Sequence, residues 1–383
     1  MSKIFELGET TNSKKSTLFL SNTPINIQTF HDPKYPWIMD YAEEMRKVGN
    51  WSKNEIDLSK EKTMFDQLDE SSRHIYEAGL KFAITLDSCA GRGPLQLFVQ
   101  NGISANPEWE CYINNHQTNE ILHSESYTEL VRALYNDVDD FIESIIDDEH
   151  VQKRATSILG AFDEVTKVFD QWQSNQVLAD AGKEPAFDVT EDDVKVAIYK
   201  SAIVLNMFEG IRFFCTFATA WSFSEQPVKL MQGSSNIFKL IARDEMIHLD
   251  VFQKVIKILN TEPEEGFTEI AKTLEPTVYD MYKTGYQEEM DWIDHLFSKG
   301  TSLIGMNDRI LKEYMNYIFA IRLTNIGLDP AKLGLKLIDN PIPWINNYLD
   351  GTEIKAAPQE QEMVGYVAAI DNSNEADFNL DDL

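Results

Sequence analysis

The chain has 383 residues, with 63 acidic side chains against 34 basic ones and a formal net charge of −29 at pH 7. That length, with 43% hydrophobic residues, is enough to bury a sizeable core. The charge argues against two partner classes, because nucleic-acid phosphates and anionic membranes both call for a basic surface.

In chain order, residues 1–30 are mostly polar and are expected to be a flexible N-terminal segment. The opening "MSKIFELGETTNSKKSTLFL" lacks the continuous apolar core of an export signal. Helical spacing begins in "YPWIMDYAEEMRKVGNW" and closes near Gly49. "DESSRHIYEAGLKFAITLDSCAG" has an acidic start, apolar residues three and four apart, and a terminal Gly91, which together read as a helix. The next helix starts with Asn106 as cap and Pro107 in the first turn. The pattern recurs over 147–173, 190–222, 235–260, 265–298 and 305–327, and 174–190 reads as a polar connector.

Strand signals are nearly absent, no 20-to-50-residue repeat is visible, and no run of 18 apolar residues occurs. The expected fold is therefore all-α: one long-helix bundle over residues 31–345, followed by a flexible acidic tail over 346–383. Tyr366, Phe378, Leu380 and Leu383 give that tail large apolar side chains suited to docking in a partner's groove. Three scattered cysteines, Cys89, Cys111 and Cys215, form no CxxC motif, and a reducing cytoplasm is expected.

Seven histidines occur, and two of them follow a glutamate by three residues: Glu120 with His123, and Glu245 with His248. Such a spacing places both side chains on one helix face. Each pair lies in a strongly apolar helix, where an unpaired carboxylate is costly. Asp87 in "FAITLDSCAG" and Glu209 in "AIVLNMFEGIRFFCTF" are lone acids in equally apolar surroundings. E-x-x-H from each of two helices, plus one carboxylate from each of two others, is the ligand pattern of ferritin-like di-iron and di-manganese bundles. Four carboxylates would offset two divalent cations, and oxygen with nitrogen donors suits iron or manganese. The competing reading is a set of buried ion pairs to arginines such as Arg92, Arg212 and Arg243.

In four motifs the chain resembles the small, radical-generating beta subunit of class I ribonucleotide reductase. They are "LDSCAGR" around Asp87, "NEILHSESY", "FEGIRFF" around Glu209, and "LIARDEMIHL", in matching order over roughly residues 35–330. The resemblance implies that Asp87, Glu120 and His123 hold one metal and Glu209, Glu245 and His248 the other, with some carboxylates bridging. It implies two iron ions, although a manganese/iron pair or two manganese ions would use the same ligands. Oxygen activation there would leave a radical on Tyr127, in a pocket lined by Phe213, Phe217 and Ile241.

The radical would travel through Trp51, joined to a cluster histidine by Asp244, and through Tyr366. Its destination would be a separate large subunit, bound by the C-terminal tail, where ribonucleotides are reduced to deoxyribonucleotides. A homodimer is also implied. The chain has no P-loop and no Rossmann glycine fingerprint, as suits a subunit that leaves the nucleotide to its partner. One departure stands out: His116, four residues before Glu120, occupies a position where members of the family often carry tryptophan. It is expected to lie beside the site or in the core rather than on a metal. A di-metal carboxylate oxidase or a ferritin-like iron-binding protein would share the six ligands but would need neither Tyr127 in register nor a tyrosine-bearing tail.

Overall fold

A computed structural model of the chain describes residues 16–21, 27–49, 51–90, 98, 103–104 and 106–349. Its α-helices in chain order are α1 (Pro36–Val48), α2 (Glu61–Asp66), α3 (Glu70–Ala90), α4 (Pro107–Leu134), α5 (Val138–Ile146) and α6 (Glu149–Asp180). They continue with α7 (Glu191–Met207), α8 (Phe214–Ser224), α9 (Gln232–Thr261), α10 (Thr268–Leu296), α11 (Asp308–Asn325) and α12 (Asn346–Leu349). No strand occurs among the described residues.

The helix starts follow local chemistry. The Asn106 side chain accepts from Trp109 N at 2.9 Å, with Pro107 at the first helical position of α4. Asp69 takes the Ser72 N–H at 2.8 Å at the start of α3. Helix α9 is capped from a distance: the Glu61 carboxylate of α2 accepts from Gly233 N at 2.8 Å and Ser234 N at 3.1 Å. An anion against exposed N–H groups at a helix N-terminus is favourable. It also pins α2 to α9.

Helices α3, α4, α8 and α9 surround the centre of the bundle, and α9 also packs on α7. Side chains such as Trp109, Phe82, Phe217 and Trp221 are fully buried there, each worth roughly 1.5–3 kcal/mol relative to exposure. The stretch Glu191–Ser224 contains an 18-residue window apolar enough to cross a membrane, yet that window is wholly buried inside the protein. Between α7 and α8 the chain makes one π-helical turn, Phe208–Arg212. Gly210 sits in that turn, where an added Cβ would lie 2.6 Å from the Leu249 side chain. The Gly210 carbonyl accepts from Arg322 Nε of α11 at 2.9 Å.

Three features differ from the sequence reading. Helix α6 runs seven residues into the expected connector, because its polar side chains lie on a solvated face and Asn175 ties it to the loop. The Asn175 amide donates to Phe187 O at 2.8 Å and accepts from Ala186 N and Phe187 N. Within the N-terminal stretch expected to be loose, Leu18 and Phe19 are buried, and Leu18 N donates to Glu265 at 2.7 Å. Packing also continues past residue 345, where Tyr348 stacks on Trp221 at 4.9 Å. Tyr366 and the remainder of the expected tail lie outside the described residues.

Candidate metal centre

Four segments deliver the six residues singled out by spacing. Asp87 lies near the end of α3, Glu120 and His123 in mid-α4, Glu209 in the π turn, and Glu245 and His248 in mid-α9. None is more than 1% exposed. Their donor atoms converge in two overlapping groups, each with all donors within 4.8 Å of one another. One contains Asp87, Glu120, His123 and Glu245; the other contains His116, Glu120, Glu209 and His248.

Glu120 and Glu245 each face both groups. Glu245 Oε1 is 3.2 Å from His123 Nδ1, and its Oε2 is 3.1 Å from His248 Nδ1. Glu120 Oε1 is 3.2 Å from His248 Nδ1, and its Oε2 is 3.8 Å from His123 Nδ1. The division expected from the sequence is thus refined, with Glu245 lying between the two histidines rather than beside one. His116 changes more. Expected to stand beside the site, it points its Nε2 into the second group, 3.2 Å from Glu120 Oε1 and 3.3 Å from Glu209 Oε1.

The electrostatics are those of crowded anions whose charged neighbours are the cluster's own imidazoles. Burial first, and then Glu120 and Glu245, push the Asp87 carboxyl well above its usual value. Burial, Glu245 and Glu120 do the same to Glu209. Burial also opposes ionisation of Glu245, but the His123 and His248 imidazoles beside it outweigh that and hold the group well below its usual value. Both oxygens of Asp87 and of Glu209, Glu120 Oε2, Glu245 Oε1 and His123 Nδ1 have no partner in hydrogen-bonding geometry. Buried polar atoms rarely stay orphaned.

The arginines considered as partners are engaged elsewhere: Arg212 binds Glu288 and Glu289, and Arg243 binds Asp244. Arg92 lies outside the described residues. The orphaned oxygen and nitrogen donors therefore fit a pair of divalent first-row metals, which such sets bind and whose charge four carboxylates offset.

Behind His123, its Nε2 faces Asp244 Oδ2 at 3.3 Å, and that same oxygen accepts from Trp51 Nε1 at 2.8 Å. Asp244 Oδ1 accepts from Arg243 Nε and Nη2, both at 3.1 Å. The Trp51 and His123 rings lie 6.4 Å apart, 25° from parallel. A carboxylate behind a ligating imidazole fixes its tautomer and orientation.

Tyr127 follows on the same face of α4, 1% exposed, with no hydrogen-bonding partner for its hydroxyl. Burial first, and the Asp87 charge second, raise its phenol well above the usual value, so it is neutral. Its aromatic neighbour is Phe238, at 5.9 Å. Phe217 lies behind Phe238 at 6.3 Å, and Phe213 stacks behind Phe217 at 5.7 Å. Sequence reading named Phe213, Phe217 and Ile241 and missed Phe238. The signal was present, since Phe238 precedes Glu245 by two helical turns and so shares its face.

The family described as "Ribonucleotide reductase, small chain" matches residues 27–331. The ribonucleoside-diphosphate reductase 1 subunit beta of Escherichia coli O157:H7 is 32% identical over 372 residues, covering 97% of this chain and 96% of the relative. The corresponding subunit beta of Enterobacteria phage T4 is 30% identical over 84% of each chain. Among solved structures, the ribonucleotide reductase R2 subunit from Clostridium botulinum aligns with a TM-score of 0.73 at 24% identity, covering 91% of this chain and 98% of its own. An R2-like ligand-binding oxidase with a manganese/iron cofactor aligns with a TM-score of 0.57 at 14% identity, over 78% of this chain and 96% of its own. At these identities the two structures speak to the fold.

Proposed function

This chain belongs to the ribonucleotide reductase small-chain family, as the radical-generating small subunit of a class I ribonucleoside-diphosphate reductase, and on that premise we propose how its residues divide the work. Asp87, Glu120, His123, Glu209, Glu245 and His248 would hold a dinuclear centre, with Glu120 and Glu245 facing both groups of donors. Bound there, the metals supply oxygen activation and the oxidising equivalent for a nearby phenol; two irons, manganese with iron, or two manganese ions all suit these donors. The observation that supports this reading is the set of orphaned carboxylate and imidazole atoms converging from three helices and the π turn, with no arginine or lysine among the described residues paired to them.

The protein's own part is positioning, proton handling and shielding. Tyr127 offers a neutral phenol whose oxidation product, once the hydroxyl proton leaves, is also neutral and needs no charge solvated in the apolar pocket. Asp87, the strongest electrostatic neighbour of that hydroxyl, is the group placed to receive the proton. Phe238, Phe217 and Phe213 exclude water and other reductants from the ring.

Trp51, Asp244 and His123 form a continuous hydrogen-bonded path from the centre toward α1, and this path carries the equivalent outward. The acidic tail with Tyr366 completes it by docking on the large subunit, within a cytoplasmic complex that contains a homodimer of this chain.

The test is Tyr127→Phe in protein loaded with iron and combined with a matching large subunit. Metal content should be unchanged, and the tyrosyl signal in electron paramagnetic resonance and the nucleotide reduction should both vanish. Full reductase activity in the variant would show that the oxidant is stored elsewhere.

A further inference from the structure

His116 is the residue of the cluster that neither the spacing of the E-x-x-H pairs nor the roles above use. It is completely buried on α4, against His248 of α9. Its Nε2 lies 3.2 Å from Glu120 Oε1 and 3.3 Å from Glu209 Oε1. These atoms and a His248 ring nitrogen all fall within 4.8 Å of one another. Donors sharing one ion at about 2.2 Å are separated by at most about 4.4 Å, so the four need only slight contraction to meet on a common cation.

The far side of the ring is also built as a ligand's would be. His116 Nδ1 is 3.3 Å from the Tyr112 hydroxyl. Ligating histidines are held by a hydrogen bond at the other ring nitrogen. Tyr112 is fully buried, and burial with the nearby carboxylates keeps its phenol protonated. The His116 ring lies against the His248 ring, with centroids 3.5 Å apart and planes 22° from parallel. Because a ligated ion lies near the plane of each imidazole, sharing one ion requires the two rings to open out of this stack.

Resting on the dinuclear reading above, we propose that His116 is a seventh protein ligand, binding the metal at the Glu209–His248 position through Nε2. The two positions then differ in kind. One is held by Asp87, Glu120, Glu245 and His123, with a single imidazole. The other is held by Glu120, Glu245, Glu209, His248 and His116, with two. His116 thereby gives the second ion a coordination that the six-residue set does not supply.

The alternative role for His116 is positioning: an N–H that steadies Glu209 without touching metal. Manganese(II) alone, added to the metal-free full-length protein, separates the two. In a crystal structure of the wild-type protein loaded with manganese, located by anomalous scattering, ligation places His116 Nε2 about 2.2 Å from the second ion. Two bound ions with His116 Nε2 held near about 3 Å from Glu209 and off the metal would overturn the proposal and leave the dinuclear reading standing. Fewer than two ions per chain would overturn both.

In solution, removing one donor should lower manganese affinity at the second position by more than about 100-fold, since losing a residue that merely orients a ligand costs 10–100-fold. His116→Phe should show that loss. His116→Trp should show it too, because an indole N–H can donate to Glu209 but cannot bind metal. Recovery of near-wild-type affinity in His116→Trp would assign His116 to positioning and defeat the proposal.

Discussion

Two regions of the bundle bury carboxylates in apolar helices and resolve them differently. Beside α6 and α10, Glu289 is fully buried and receives two arginines. Arg154 Nε and Nη2 reach it at 3.0 and 2.6 Å, and Arg212 Nη1 at 2.9 Å. Arg154 also lies 3.6 Å over the Phe82 ring and donates to Arg212 O at 2.8 Å. At the candidate metal centre, four carboxylates converge with three imidazoles, and no arginine among the described residues is paired with them. A buried anion with protein cations around it is a finished structural element, whereas a cluster of orphaned anions is built for something that arrives from outside. Among the described residues the comparison favours the metal reading over ion pairing, because Arg212 belongs to the first region and not to the second.

The contrast can be broken first at Glu289. Glu289→Ala leaves the buried Arg154 guanidinium uncompensated while Arg212 keeps Glu288, and should cost about 3–5 kcal/mol in denaturant unfolding, while metal stoichiometry in the folded fraction stays at the wild-type value. A loss of metal at unchanged stability would mean that the two regions have been assigned the wrong way round.

The mirror experiment is Glu245→Ala, which removes an anion shared by both histidines. Affinity for manganese(II), followed by calorimetry, should fall by at least about 100-fold, and the protein should remain folded. Unaltered binding would remove Glu245 from the ligand set.

A smaller effect sharpens the comparison through pH. Asp87 and Glu209 are raised by burial and by neighbouring carboxylates. Despite burial, His123 is raised first by Asp244 and then by Glu245, and His248 by Glu120 and Glu245. All four bind protons more tightly folded than unfolded, so their stabilising contribution is full below the unfolded pKa and is lost as pH rises. His116, driven down to about 4 by burial and His248, opposes them in this window. Metal-free protein should therefore lose stability between about pH 5 and 8, on the order of 1 kcal/mol per pH unit for one net proton. Metal-loaded protein should show the opposite slope, because its ligands bind deprotonated. Melting curves with and without chelator across this range check the sign.

Much of the centre was legible because its chemistry is written at helical spacing. Glu120 and His123, and Glu245 and His248, each repeat within one turn, and Asp87 and Glu209 are conspicuous as acids in apolar helices. Trp51 rested on resemblance alone, and its hydrogen bond to Asp244 is a contact across 193 residues that no local pattern encodes. What was missed has similar causes. The π turn that carries Glu209 depends on the close approach of Leu249 and Arg322 to Gly210, which is tertiary information. His116 sits four residues before Glu120, a spacing shared by ordinary core residues, and only α9 shows which way it points. The length of α6 was underestimated because a solvated helix and a polar linker have the same composition.

The most direct measurement is the number of metal ions bound per chain. Metal-free protein titrated anaerobically with iron(II) or manganese(II) and then desalted should retain two ions per chain in the wild type and in folded Glu289→Ala. Retention of one ion or none by the wild-type protein would contradict a dinuclear centre at this cluster.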